Sequence, residues 1–294
     1  MRTLIRNVTV LTLDEEDRIL PESDLALEGS RIAAVGKAPE SFVPDEVIDG
    51  REMVALPAFF NAHAHAPMTL ERGWAEDLPF ERWLNEKIWV AESALEEEDV
   101  RWGAALAAAE MIGSGMVGFA DHYFWMDQVA GVVEASGMKA LLAWCHFGIG
   151  TEKEVGQIPF EETVAFAARW KNGAGGRIHT TMGPHSPYMV PQEVLARFAE
   201  EAQRIGVGAH FHLSESEEQV TNSLARHGQT PPAYVAGLGL LDLPEPTLVA
   251  HCNAATEDDL DLLAAKGTYV AHTPKTYQKL GMSMPDLKRM LEKG

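Results

Sequence analysis

The 294-residue chain is 46% apolar and 23% charged, so it can bury a sizeable core and is not disordered. Its 24 lysines and arginines face 44 aspartates and glutamates, a net charge of −20. That balance argues against tracking nucleic-acid phosphates and against adhesion to anionic membranes, and favours a small-molecule substrate.

In chain order, residues 1–55 are expected to form a small sheet domain. Residues 4–10 are rich in β-branched side chains, and residues 25–35 and 47–56 are broken by Glu28-Gly29-Ser30 and Asp49-Gly50, both hairpin signals. The N-terminus turns acidic at Asp14, Glu15, Glu16 and Asp17, unlike a signal peptide. From 56 to 294, short apolar runs alternate with helical patterns. Strands are expected at 53–60, 117–120, 140–144, 178–182, 208–211, 247–250 and 269–271. Helices are expected at 100–112, 128–134, 161–170, 191–205 and 257–265, with a last one beginning near Pro285. This alternation means a parallel sheet, closed into a barrel or open. A closed barrel needs eight strands and seven are legible, so the chain is expected to stop one strand short. No run of eighteen apolar residues suggests a membrane span. Cys145 and Cys252 cannot make a disulfide framework, which makes the cytoplasm the expected compartment.

Eight of the eleven histidines, His63, His65, His122, His146, His185, His212, His251 and His272, fall at or just past the C-terminal end of an expected strand. Parallel α/β folds build their sites on that rim. In Asn61-Ala62-His63-Ala64-His65, residues i and i+2 share one side of an extended segment, so two imidazoles can converge on one ion; neutral imidazole suits zinc, iron, copper or nickel. In His210-Phe211-His212, His212 is read as a ligand and His210, one pleat deeper, as a buried, hydrogen-bonded core residue. Glu215 follows closely enough to take a proton from a metal-bound water and return it to a leaving group; its plainer alternative is one more charge in the run Glu215, Glu217, Glu218. His251 is a candidate ligand or partner of the bound water or substrate. His185, between Pro184 and Pro187, is a candidate fixed substrate contact. Asp121 is a candidate for orienting a neighbouring ring, and His272 for facing the pocket. Trp74, Phe80, Trp83, Trp89, Phe124, Trp125 and Trp144 lie near the same rim; several beside one metal, Trp83 among them, would make a substrate-binding wall for a flat ring. No G-x-G-x-x-G follows an expected strand, and the G-x-x-x-x-G-K-[ST], G-x-S-x-G and H-E-x-x-H motifs are absent from the sequence.

Together, the His63/His65 pair, His212 with Glu215, and His251 resemble the amidohydrolase superfamily. More narrowly, residues 61–70, Arg72-Gly73, Ala75-Glu76-Asp77-Leu78, Gly183-Pro184-His185-Ser186-Pro187-Tyr188 and His212-Leu213-Ser214-Glu215 resemble its methylthioadenosine/S-adenosylhomocysteine deaminases and their chlorohydrolase relatives. The resemblance implies a distorted (β/α)8 TIM-type barrel, here with seven strands, in residues 56–294, and makes residues 1–55 part of a β-sandwich. It implies one divalent metal, zinc or sometimes iron, held by His63, His65, His212 and an aspartate on an eighth strand, with Glu215 as proton shuttle and His251 positioning the water. Glu92 falls where such nucleoside deaminases bind ribose hydroxyls, and His185 matches a contact near the purine. The chain departs from the pattern in ending at Gly294 before the eighth strand, and in carrying His272-Thr273-Pro274-Lys275-Thr276-Tyr277 where Asn-Pro-x-x-Asn is usual. It also has Pro57-Ala58 for the usual Pro-Gly, and Trp144-Cys145-His146 where arginines help bind the nucleoside tail. The expected activity is hydrolytic deamination of an aminated heteroaromatic ring, most simply an adenosine-type nucleoside. A chlorohydrolase or another ring aminohydrolase (triazine, pterin, guanine) is the nearest alternative. A non-catalytic truncated chain is the second, and the 294 residues alone are expected to show negligible activity. The oligomeric state, a homo-oligomer included, is left open.

Overall fold

The computed structural model describes residues 1–148 and 159–294. The chain divides into two compact units, Met1–Phe59 and Phe60–Gly294.

The first unit is a five-stranded mixed sheet: β1 (Arg2–Leu11), β2 (Ile19–Glu28), β3 (Arg31–Gly36), β4 (Glu46–Asp49) and β5 (Val54–Ala55), ordered β3-β2-β1-β4 with β5 also on β1. Leu4, Val8, Val10 and Ala26 are its buried apolar side chains. The hairpin at Gly29 forms as expected: β2 and β3 pair antiparallel, and Gly29 takes a φ of 60°. The hairpin expected at Asp49-Gly50 does not form. Here β4 and β5 both run parallel to β1, and the Gly50 N–H donates to the Arg6 carbonyl. A Cβ at residue 50 would fall 2.8 Å from that of Val8, so the glycine serves a close approach to β1 rather than a two-strand turn.

The second unit is built on seven strands that form a nearly closed TIM-type barrel in strict chain order. They are β6 (Phe59–Ala64), β7 (Met116–Tyr123), β8 (Lys139–His146), β9 (Ile178–Pro184), β10 (Gly208–Leu213), β11 (Leu248–His251) and β12 (Tyr269–Ala271). Pairing is parallel from β7 through β12. All six residues of β10 are buried, as expected of a parallel strand covered on both faces. The helix Gln192–Ile205 buries Leu195, Phe198, Ala199 and Ala202, the i, i+3, i+4, i+7 stripe of an amphipathic helix, and ends on Gly206 at φ 77°. Thr256 and Asp259 form a capping box that starts the helix Glu257–Ala265. The expected run 53–60 divides instead into β5 and β6, and β7 to β10 run two or three residues further than their apolar cores suggested. Those extensions carry His122, His146 and His212 into the ladder. A helical stretch was not anticipated: Phe80–Trp83, a π-turn at Leu84–Ile88 and Trp89–Glu92. Among the described residues, no helix is long and apolar enough to cross a membrane.

Candidate active site

The C-terminal ends of β6 to β12 open into a cavity of about 500 Å³. His63 and His65 at the end of β6 meet His212 on β10, and one nitrogen from each lies within 4.8 Å of the others. Their protonation follows from their partners. His65 Nδ1 is 2.6 Å from the His122 carbonyl and His212 Nδ1 is 2.9 Å from the His185 carbonyl. Carbonyls only accept, so both rings carry hydrogen on Nδ1 and present a bare Nε2. Those two Nε2 atoms face one another at 3.3 Å. Two lone pairs so placed repel unless a cation sits between them, and a tetrahedral zinc with bonds of about 2.0–2.1 Å sets its nitrogens about 3.3 Å apart. His63 Nε2 is buried without any hydrogen-bond partner. This donor set fits a divalent metal.

Burial holds all three rings neutral, below the ordinary histidine range; His212 is pushed down to about 3, with the neighbouring His65 adding to the effect. A neutral imidazole is the form that binds metal. His210, the deeper residue of the second pair, places Nε2 2.8 Å from His63 Nδ1 and is fully buried.

Glu215 follows a sharp bend: Ser214 stands at φ 47°, and across the rim His251 and Cys252 stand at φ 82° and 54°. Such left-handed backbone is strained outside glycine. It is secured by two bonds that continue the β10–β11 ladder, from Cys252 N–H to the Leu213 carbonyl and from Ala254 N–H to the Ser214 carbonyl. The bends aim both side chains into the cavity. Glu215, 5% exposed, puts Oε1 3.4 Å from His251 Nε2 and accepts from the Tyr188 hydroxyl at Oε2, 3.2 Å away. His251 Nδ1 lies 2.9 Å from Thr273 Oγ1, and burial holds its ring down to about 3.

His185 lines the cavity, but its carbonyl also accepts both the Nδ1–H and the backbone N–H of His212, a supporting role its sequence position did not disclose. Glu92 and Trp83 reach the same cavity from the unanticipated helical stretch. Burial pushes the Glu92 carboxyl up to about 8, helped by the charge of Glu71, while the Tyr123 hydroxyl opposes the rise. Glu71 rises to about 7, again by burial.

Asp121 is a correction. It orients no ring; its Oδ1 accepts from the Ala66 N–H at 2.8 Å and so holds the backbone just past His65. Of the seven aromatics, Phe80, Trp83, Trp89 and Phe124 line the cavity. Trp144 is committed to the core beside Phe166, and Trp74 and Trp125 are not in the lining. His272 lines the cavity, whereas His146 packs on Phe160 and Phe198 outside it. Tyr188, Thr273 and Tyr277 were missed as supports. Tyr188 lay inside a motif already noticed, but nothing local discloses that its hydroxyl meets a carboxylate 27 residues away.

The amidohydrolase family profile matches residues 54–294. The chain belongs to the amidohydrolase family. It is 40% identical over 294 residues to the 5-methylthioadenosine/S-adenosylhomocysteine deaminase of Pelotomaculum thermopropionicum, covering 99% of this chain and 67% of that protein. Its counterpart in Moorella thermoacetica is 42% identical over 296 residues, covering 100% and 68%. This amidohydrolase therefore spans about two thirds of the length of those relatives. Among solved structures, a zinc-bound adenosine deaminase from Xanthomonas campestris superposes with a TM-score of 0.90 at 29% identity, covering 99% of this chain and 66% of its own. An atrazine chlorohydrolase from Arthrobacter aurescens complexed with zinc superposes at 0.87 with 22% identity, covering 99% and 70%, a likeness of fold.

Proposed function

We propose that this amidohydrolase is a hydrolytic deaminase of an adenosine-type nucleoside, of the methylthioadenosine/S-adenosylhomocysteine class, with zinc held by His63, His65 and His212. The carrying observation is the convergence of three imidazole rings, two of them with a bare Nε2, with a buried carboxylate, Glu215, in an aromatic-walled cavity. Identity of about 40% to deaminases of that class over nearly the whole chain supports the substrate. An all-nitrogen, tetrahedrally spaced donor set favours zinc over iron.

A divalent ion held by His63, His65 and His212 would lower the pKa of water and so provide a nucleophile near neutral pH. Glu215 takes the proton that the attacking water sheds and gives it to a ring nitrogen. It then takes the proton of the hydroxyl now on the ring carbon and passes it to the amino group, which leaves as ammonia while that hydroxyl becomes the carbonyl. Tyr188, donating to Oε2, keeps Oε1 turned toward His251 for that exchange. His251, braced by Thr273, orients the attacking water. Glu92, neutral at pH 7 because of its burial, can both donate to and accept from sugar hydroxyls. His185 and Trp83 border the space for the flat ring and help exclude bulk water.

The test is release of ammonia by the zinc-loaded protein, in a chain that carries an eighth strand, from methylthioadenosine, S-adenosylhomocysteine, adenosine and guanine, with chloride release from atrazine measured in parallel. Turnover of the two thioether nucleosides above the others is expected. Chloride release without ammonia release would replace deamination with dechlorination.

A further inference from the structure

The geometry points to His210 as the positioning residue that fixes the tautomer and ring orientation of His63, and through it the metal affinity of the cluster. The inference rests on the metal reading above, and the two can fail separately.

A bond between two imidazole nitrogens holds one proton, and His63 Nδ1 and His210 Nε2 are 2.8 Å apart. In one arrangement His63 donates from Nδ1 and leaves Nε2 bare. In the other His210 donates, and the single ring N–H of neutral His63 sits on Nε2, facing the cluster, where it blocks ligation. Only the first permits a metal. His65 and His212 meet the same requirement through backbone carbonyls, which can only accept. His63 alone of the three rings relies on a side chain, so its alignment depends on a replaceable residue. The site is also shielded: His210 is 0% exposed, and a second imidazole, His122, lies tilted to it at 5.4 Å between ring centroids. Bulk water therefore does not reach His210 to take its place as acceptor. The i, i+2 pair on β10 thus divides its labour, with His212 presenting Nε2 to the cluster and His210, one pleat deeper, setting the ring across the barrel. Partners of this kind typically govern metal affinity by about 10–100-fold.

The experiment measures zinc affinity by chelator competition in the full 294-residue protein and in two variants. His210→Phe keeps ring volume and removes the acceptor, whereas His210→Gln places an amide oxygen near the lost Nε2. A loss of about 10–100-fold in His210→Phe, largely recovered in His210→Gln, with similar melting of the metal-free forms, is expected. Wild-type affinity in His210→Phe, or equal losses in both variants, would overturn the inference. Histidine ¹⁵N NMR of the zinc-loaded wild-type protein needs no variant to fold. The shared proton should be bonded to His63 Nδ1 with scalar coupling to His210 Nε2, and a proton on His210 Nε2 overturns the proposal. Failure of the wild-type protein to take zinc would overturn the metal reading as well.

Discussion

Glu215 and Glu92 are both buried carboxyls in one cavity, and their surroundings give them opposite work. Glu215 has partners at both oxygens, the Tyr188 hydroxyl and the His251 ring, so it is held in place at the point where a proton must move. Glu215→Gln removes the titratable group while leaving the three imidazoles untouched. The variant is expected to bind zinc stoichiometrically and lose about 10²–10⁴ in turnover, read as metal content against ammonia release. Glu92 is instead desolvated beside another carboxyl, and its folded pKa rises from 4.5 to about 8. Folding therefore retains a proton that the unfolded chain gives up. The stability associated with the neutral form is complete below about pH 4.5 and is lost as pH climbs through 8. Glu92→Gln escapes that loss. Its advantage over the wild-type protein in urea denaturation should be small at pH 5, larger at pH 7 and level by pH 9. A gain that shrinks as pH rises would contradict the assignment.

Strand ends, more than the strands themselves, decide how these side chains meet. On β9, a Cβ at Gly183 would fall 2.3 Å from the Trp144 carbonyl of β8, so only glycine permits this approach. The approach matters because two residues later the His185 carbonyl fixes His212, while its N–H donates to the His146 carbonyl. Gly183→Ala should force the two strands apart at a cost of about 1–3 kcal/mol and weaken zinc binding as well, through the displaced carbonyl. Calorimetric melting and chelator competition on one preparation check both halves. A melting change with zinc affinity untouched would show that the turn follows His212 independently of β9. The π-turn at Leu84–Ile88 is another irregular element beside the cavity, in the short stretch that delivers Trp83 and Glu92. Such turns commonly appear at functional sites.

At the scale of the molecule, seven buried or half-buried histidines, His63, His65, His122, His185, His210, His212 and His251, are held below their ordinary pKa by desolvation. They come from five strands or strand ends, β6, β7, β9, β10 and β11, which no local segment could arrange. Metal that binds the folded cluster and not the unfolded chain stabilises the fold by mass action, about 2.7 kcal/mol at a hundredfold excess over Kd. Zinc should therefore raise the melting temperature in a concentration-dependent way, and chelation should reverse it. An unchanged melting temperature with zinc bound would mean that the ion sits outside the folded cluster.

The sequence by itself determined the strand–helix alternation, the rim placement of the histidines, and the choice of His212 over His210 as the residue facing the cluster. Periodicity and pleat are local properties, and a run of apolar residues ending in histidine carries both. It misled at Asp49-Gly50, where a glycine required by the nearness of β1 looks the same as one required by a hairpin. No element was expected over the stretch from Phe80 to Glu92, although Phe80, Trp83, Leu84 and Ile88 repeat at i, i+3, i+4 and i+8. Only the tertiary structure decided the supports: the His122 and His185 carbonyls, the Tyr188 hydroxyl on Glu215, Thr273 behind His251, and Asp121 turned to a backbone N–H instead of a ring. These bonds join residues 22 to 57 positions apart, and a hydrogen bond depends on angles and distances that are fixed only once the strands have paired.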